Sequence, residues 1–371
     1  MKFSINKKQL QEALMEHSKV VPIRSTLPIL SCALFSLNDS GVRIKTTDLE
    51  QTIVSQQKKE GDVKGVFAAP VSKLLEIVTA LLDQEIFFNI NEDFLIEINS
   101  RQGVYKITGR DPQDFPETPT PQSTSSIEIE CKTLTSIIDK AGYAASKDDL
   151  KPALCGVLFQ FKENTITTVA TDGHKLVKHE KTTTKKIKKE TSIVLPVKFL
   201  NIIKGLAEQE GIVKITVGEN HVQTEQKNFR IISRTIKESF PDFNSVIPED
   251  NKTIVEIETE TFIGCLKRVS IFANRTTKQV ILSFSSKGIT FSAQDIESST
   301  SAKEHIDCNL KGEEVTSSFN AKYLTEVVKH LNTPKANIYL NSSLTAAVFK
   351  AKKEKEKEKT IALLMPIRIN Q

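Results

Sequence analysis

Hydrophobic and polar positions switch period six times along the chain. Each time a short alternating run gives way to a stretch whose apolar residues recur at intervals of three and four. Phe3 and Ile5 precede Leu10, Ala13, Leu14 and His17; Phe67 and Ala69 precede Leu74, Leu75, Ile77, Val78 and Leu81; Ile127 and Ile129 precede Leu134, Ile137 and Ile138. Val194 and Pro196 precede Phe199, Ile202, Ile203 and Leu206; Val255 and Ile257 precede Phe262, Cys265, Leu266 and Val269; Phe319 and Ala321 precede Leu324, Val327, Val328 and Leu331. Each switch predicts a strand running into an amphipathic helix. Alternation returns over 86–98, 212–222 and 337–349, broken by Glu92-Asp93, Gly218-Glu219-Asn220 and Asn341-Ser342, which predicts hairpins. One short helix per group of strands cannot cover both faces of a parallel sheet. The pattern therefore predicts an α+β fold of antiparallel sheets, with two helices on one side of each unit.

The pattern repeats. Thr46-Thr47-Asp48-Leu49-Glu50, Ala170-Thr171-Asp172-Gly173-His174 and Ala293-Gln294-Asp295-Ile296-Glu297 each follow an apolar, strand-like stretch, and their aspartates lie 124 and 123 residues apart. Asp114-Phe115-Pro116-Glu117 and Ser239-Phe240-Pro241-Asp242-Phe243 keep the same register, and Leu364-Met365-Pro366-Ile367-Arg368 ends the third copy. Three units follow: 1–124, 125–250 and 251–371. The Pro-, Ser- and Thr-rich stretch Thr118–Ser126 reads as the first linker.

Composition narrows the function classes. The 371 residues contain 51 Lys+Arg against 46 Asp+Glu, a net charge of +5, which permits a nucleic-acid partner only if the positive charge gathers on one face. Absence of Trp and only 4 Tyr argue against a base-stacking platform for single strands, though 19 Phe keep it open. No apolar run is long enough to span a bilayer, and Met1-Lys2-Phe3-Ser4-Ile5 lacks the apolar core of a secretory signal, so a cytoplasmic protein with no membrane partner is expected. The five cysteines are scattered without a CxxC pair and read as small buried hydrophobes. No GxGxxG, P-loop, HExxH or GxSxG motif occurs. Asp48, Asp172 and Asp295 recur one per unit, which suits turn-capping residues better than a metal cluster. Neither metal nor cofactor is expected. The lysine-rich runs Lys181–Lys189 and Lys350–Lys359 read as solvated hairpins.

Several motifs, in order and in register with the repeat, resemble the beta subunit of bacterial DNA polymerase III, the sliding-clamp family. They are Arg24-Ser25-Thr26-Leu27-Pro28-Ile29-Leu30, Thr47-Asp48-Leu49-Glu50, Gly109-Arg110-Asp111 with Asp114-Phe115-Pro116, Thr171-Asp172-Gly173-His174-Lys175-Leu176, Phe240-Pro241-Asp242-Phe243 and Met365-Pro366-Ile367-Arg368. The resemblance covers the whole chain. It implies three clamp domains per subunit, closing as a six-domain ring in a head-to-tail homodimer, with helices lining the hole and sheets outside. The implied function is a non-catalytic processivity factor that encircles double-stranded DNA without reading sequence. A clamp-like recruitment hub for repair proteins is the alternative on the same residues; an enzyme of unknown chemistry is the contrasting class.

The resemblance also implies sites. The DNA-facing candidates are Arg24, Lys73, Lys198 and Lys204, with Lys7, Lys8, Lys140 and Lys147 in a second rank. Lys73, Leu74, Ile271 and Phe272 match family dimer contacts. A partner-peptide pocket is implied at Leu154, Thr171, Gly173, His174, Lys175, Leu176, Pro241, Val246, Asn320, Tyr323, Met365, Pro366, Ile367 and Arg368. Its implied ligands are segments of the replicative polymerase alpha subunit, clamp-loader subunits, and repair and translesion polymerases. Leu, Val, Met and Pro would give an apolar floor, and His174, Asn320 and Arg368 would orient a peptide backbone. Family members often carry basic residues at Lys175 and Ser245. Lysine keeps charge without arginine's planar fork, and serine removes it. Family chains usually stop nearer the position of Arg368; the residues after it, Ile369 to Gln371, would crowd the pocket entrance or simply fray.

Overall fold

The computed structural model describes residues 1–58, 64–119, 123–183, 190–206, 210–354 and 356–368. Most of the 181–189 lysine run, and Ile369 to Gln371, lie outside the described residues.

The first third carries β1 (Lys2–Asn6), α1 (Lys7–Ser18), β2 (Cys32–Asn38), β3 (Gly41–Thr47), β4 (Gln51–Gln57), β5 (Gly65–Pro70), α2 (Val71–Ala80), β6 (Glu85–Ile90), β7 (Leu95–Asn99) and β8 (Val104–Thr108). The second repeats this order: β9 (Ser123–Glu130), α3 (Cys131–Ala141), β10 (Gly156–Lys162), β11 (Thr165–Thr171), β12 (Lys175–Thr182), β13 (Thr191–Pro196), α4 (Val197–Leu206), β14 (Ile212–Gly218), β15 (His221–Gln226) and β16 (Phe229–Arg234). The third does so again, with one added short strand: β17 (Thr253–Glu258), α5 (Thr259–Ser270), β18 (Gln279–Ser285), β19 (Gly288–Asp295), β20 (Thr300–Ile306), β21 (Asn309–Lys311), β22 (Val315–Asn320), α6 (Ala321–His330), β23 (Lys335–Leu340), β24 (Ala347–Ala351) and β25 (Glu358–Leu364). All six changes of period in the sequence mark a strand passing directly into a helix. Asn6 and Asn320 make two of these junctions sharp, each accepting hydrogen bonds from the first-turn amides of its helix.

The strands form four antiparallel sheets, ordered β1-β6-β7-β8, β5-β2-β3-β4-β16-β15-β14-β9, β13-β10-β11-β12-β25-β24-β23-β17-β21 and β20-β19-β18-β22. The two long sheets arise in the same way. β4 of the first repeat pairs with β16 of the second, and β12 of the second pairs with β25 of the third. These are equivalent strands, and the equivalence extends to single bonds. The Arg234 amide donates to the Glu50 carbonyl at 2.9 Å, and the Met365 amide donates to the His174 carbonyl at 2.8 Å. Because of these seams, the compact units do not follow the thirds. One holds Met1–Leu134 with Lys198–Thr235, the other Thr135–Val197 with Ile236–Gln371.

In the first unit, Leu10, Ala13 and Leu14 of α1 and Val71, Leu74 and Val78 of α2 pack on Phe3, Phe35, Phe67 and Phe88 of the strands. Phe35 and Phe67 stack at 4.9 Å, as do Phe3 and Phe88. Leu74 is wholly buried in this core. The expectation that it contacts a partner subunit is thereby corrected: it lies on the inward face of α2, where four-residue spacing aligns it with Val78.

Each seam also buries a histidine. His17 of α1 bridges Thr46 and Ser55, its two ring nitrogens each 2.8 Å from a hydroxyl, beside Phe229 across the seam. His179 of β12 lies opposite Thr360 of β25 and meets its hydroxyl at 2.9 Å through Nδ1. Burial lowers the pKa of His17 from 6.5 to about 3. Burial, with Lys140 and Lys181 nearby, lowers that of His179 to about 4 against the opposing pull of Glu358. In the unfolded chain both protonate near 6.5. The stability they contribute is therefore whole above that pH and is lost as pH falls towards 4 and then 3, by up to about 1.4 kcal/mol per histidine per pH unit. We expect the thermal midpoint to fall steeply below pH 6 and His17→Gln to flatten that limb, measured by circular dichroism melts between pH 4 and 8.

Candidate functional site

Every residue of the implied peptide pocket falls within the second compact unit. At its centre is a five-residue turn joining β11 to β12. Thr171 Oγ1 donates to the Lys175 carbonyl at 2.7 Å and accepts from the Gly173 amide at 3.1 Å, while Asp172 Oδ1 accepts from the amides of His174 and Lys175, both at 2.9 Å. Gly173 has φ +90°, a left-handed conformation suited to glycine, and open space where a side chain would be. The first repeat builds the same turn. Thr47 donates to the Gln51 carbonyl, Asp48 accepts from Glu50 and Gln51, and Leu49 adopts φ 75°. In the third, Asp295 accepts from the Ser298 hydroxyl at 2.6 Å. That bond, with help from Asn274 and backbone amides, holds its carboxyl below the usual range. The three aspartates are turn caps, as their one-per-unit spacing predicts.

The turn delivers His174 and Lys175 to α6. The His174 ring stacks on Tyr323 at 5.8 Å. Lys175 is buried, its Nζ 4.4 Å above the centre of the same ring, 2.7 Å from Asp172 and 3.4 Å from Glu326. Leu176 enters an apolar cluster with Leu158, Phe243 and Leu363, bordered by Phe240 and Ile247. Val246 and Met365 remain about half exposed, and Leu154 is half-buried. Pro241 is exposed in the loop that carries Phe240 and Phe243. After β25 the chain continues as a strap. The Ile367 amide donates to the Ser318 carbonyl, the Ser318 hydroxyl to the Ile367 carbonyl, and Gln279 Nε2 to the Arg368 carbonyl. Met365, Pro366, Ile367 and Arg368 are thus held by backbone bonds, with the Arg368 side chain exposed. The result is an apolar cluster with Val246 and Met365 half exposed in the segments around it, and a His174 ring and ion-paired Lys175 both set against Tyr323.

Asn320 departs from expectation. Its Oδ1 accepts from the amides of Lys322 and Tyr323, and its Nδ2 donates to the Thr277 carbonyl at 2.9 Å. At most one amide hydrogen is left for a ligand, so Asn320 shapes the site as a helix cap. Ser245 gives its hydroxyl to the Asp242 carbonyl. Glu326 and Gln279 were not foreseen. The signal for Glu326 was present, since it lies three residues beyond Tyr323 on the same helix face. Gln279 acts through the backbone of a strap that no sequence pattern marks.

The basic candidates are spread over loops and helices. Arg24 lies exposed in the loop after α1, and Lys147 in the loop after α3. Lys73 is exposed and pairs with Glu76 at 2.7 Å; Lys198 is exposed at the start of α4, 3.9 Å from Asp48; Lys204 is exposed near the end of α4. Exposed pairs of this kind contribute little energy and leave the cation available to a stronger anion. Lys8 is exposed, and Lys7 donates to Gln11. Lys140 is corrected. Its ammonium donates to the carbonyls of His330 and Leu331 at the end of α6, where a helix C-terminus attracts a cation. Ile271 is 77% exposed and Phe272 37%, so neither is ordinary core.

Among the described residues, no three His, Cys, Asp or Glu side chains group to hold a metal ion. Burial pushes the thiols of Cys32, Cys155, Cys265 and Cys308 up, Cys265 to about 12, keeping them protonated and poorly nucleophilic. No helix of the described residues is long and apolar enough to cross a membrane.

A repeated module of edge-joined antiparallel sheets with two helices per repeat defines the sliding-clamp fold. Family models agree in three consecutive blocks: the DNA polymerase III beta subunit N-terminal domain over residues 1–119, its central domain over 128–242 and its C-terminal domain over 244–368. The chain belongs to the DNA polymerase III beta-subunit family, the non-catalytic processivity clamps of replication. It is 27% identical to the beta sliding clamp of Haemophilus influenzae, with each chain fully covered. The Thermotoga maritima beta subunit matches the fold with a TM-score of 0.91 at 23% identity, and the Bacillus subtilis sliding clamp with 0.90 at 25%, each again over 100% of both chains.

Lys175 contributes to stability as well as to the site. Removing it leaves Asp172 and Glu326 facing each other without their shared cation. Because Glu326 retains contact with water, we expect Lys175→Met to cost only about 1–2 kcal/mol, less than a fully buried pair would lose. Equilibrium urea unfolding measures this.

Proposed function

We propose that two copies of this chain close head to tail into a ring around duplex DNA and tether the replicative polymerase to it. The supporting observation is the seam rule. β4 pairs with β16 and β12 with β25, so the fourth strand of each repeat joins the last strand of the next. β20 is the fourth strand of the last repeat, and β8 is the last strand of the first. Each is the edge of its sheet among the described residues. Applied once more, the rule pairs β20 of one copy with β8 of another. A heterologous contact of this kind either closes or grows into a filament, and quasi-equivalent repeats turning by about 60° each close after six. Closure also covers two open strand edges.

Within such a ring Arg24, Lys73, Lys198 and Lys204 meet phosphates without fixing a register, so the ring slides. The groove takes short apolar peptide segments of the polymerase alpha subunit, of clamp-loader subunits, and of repair and translesion polymerases. The protein works in the cytoplasm, beside the chromosome.

Topology supplies the test. Loaded by a clamp loader onto nicked circular DNA, the protein stays bound; once the DNA is linearised it leaves by the ends. Retention on the linear form, seen by gel filtration of the complex, overturns the reading. The interface is tested separately. Light scattering should give twice the 41.4 kDa chain mass. Ile271→Asp places a charge on an exposed aliphatic and should raise the dimer dissociation constant at least about tenfold.

A further inference from the structure

The groove contains an ion cluster whose balance is unusual for a binding site. Lys175 Nζ is surrounded by Asp172 at 2.7 Å, Glu326 at 3.4 Å and the face of Tyr323 at 4.4 Å. Only 5% of the Lys175 side chain reaches solvent, against 30% of Glu326. The ammonium is therefore spent on internal partners, and the carboxylate in excess is the group nearer the surface. Ser245 supplies no compensating cation, since its hydroxyl is bound to the Asp242 carbonyl. Lys178, which lies 5.9 Å from the centre of the Phe243 ring, is paired with Glu180 at 2.9 Å. Lys278, Lys322 and Arg368 are exposed, where physiological salt screens their charge. The half-buried cluster is screened less.

We propose that the Asp172–Lys175–Glu326 cluster makes Glu326 a specificity-determining residue of this groove, selecting peptides with neutral or basic residues between their apolar anchors and against acidic ones. An incoming carboxylate finds the buried Lys175 ammonium already paired and meets the excess charge of Glu326. A hydroxyl or an ammonium pays no such penalty. Discrimination of this kind works by repulsion, leaving the affinity for permitted peptides set by the anchors. The inference rests on the reading of the groove as a peptide site.

Three fluorescein-labelled peptides test it, identical except for Ser, Asp or Lys between a leucine and a phenylalanine anchor, titrated with the full chain at 150 mM salt by fluorescence polarisation. The Asp peptide should bind about fivefold more weakly than the Ser peptide, and the Lys peptide at least as tightly. In Glu326→Gln, nearly the same shape without the charge, the Asp peptide should come within about twofold of the Ser peptide, whose own affinity stays within about twofold of its value for the unaltered chain. Glu326→Ala should behave alike, and melting curves check that both variants fold. Equal or tighter binding of the Asp peptide to the unaltered chain overturns the proposal, and so does a gap that survives Glu326→Gln. A different result marks failure of the underlying reading: peptides that bind nowhere, or whose binding is unchanged by His174→Ala combined with Met365→Asp, remove both.

Discussion

An open strand edge is a row of unpaired amides and carbonyls, and in this chain successive repeats satisfy one another's edges by a single rule. The fourth strand of one repeat receives the last strand of the next, antiparallel and in register. The same backbone bond, Arg234 to Glu50 in one seam and Met365 to His174 in the other, ends both ladders. Everything else in the molecule is arranged around these seams. They make two long sheets from three short repeats, and they determine which segments form compact units, so that the central third is shared between both. Among the described residues they also leave β8 and β20 at the edges of their sheets.

The seams are polar inside, unlike the phenylalanine-rich cores beside them. His17 with Thr46 and Ser55, and His179 with Thr360, place hydrogen-bonded side chains under strands that come from different repeats. A purely apolar seam would tolerate sliding by two residues, since that shift keeps the same face inward. At the second seam His179 of β12 must meet Thr360 of β25, and a slip would leave buried polar atoms unpaired. Register in a repeat protein is easily lost because the alternatives look alike, and this buried contact distinguishes one alignment from the next.

Much of this was legible in the sequence. The six changes of period located all six helices, because an amphipathic helix following an alternating strand leaves a pattern few other structures share. The recurring aspartates located the turns, since a carboxylate capping two amides is a local requirement that needs no tertiary knowledge. Long-range consequences were harder to see. Leu74 and Lys73 are neighbours in sequence, yet one is core and the other exposed, and only helical phase separates them. Lys140 looks like any surface lysine until α6 ends within reach of it. Asn320 and Glu326 exchanged importance for the same reason. A polar side chain at a helix start is consumed by the helix, while a carboxylate one turn further on is free to find the buried ammonium.

The site itself shows how a repeat acquires a function without a change of fold. Thr47-Asp48-Leu49-Glu50-Gln51 and Thr171-Asp172-Gly173-His174-Lys175 make the same turn with the same hydrogen bonds, and both end at a seam. The first has an amide, buried Gln51, where the second has Lys175, and it has Glu50, 3.5 Å from Arg234, where the second has His174 stacked on Tyr323. Two side-chain replacements on an unchanged backbone turn a plain seam into the wall of a groove. The demands of closing the turn are met by Thr and Asp, so the residues after them can change without cost to the ladder. Glycine at 173 relieves the left-handed backbone that Leu49 must adopt at φ 75° in the first repeat.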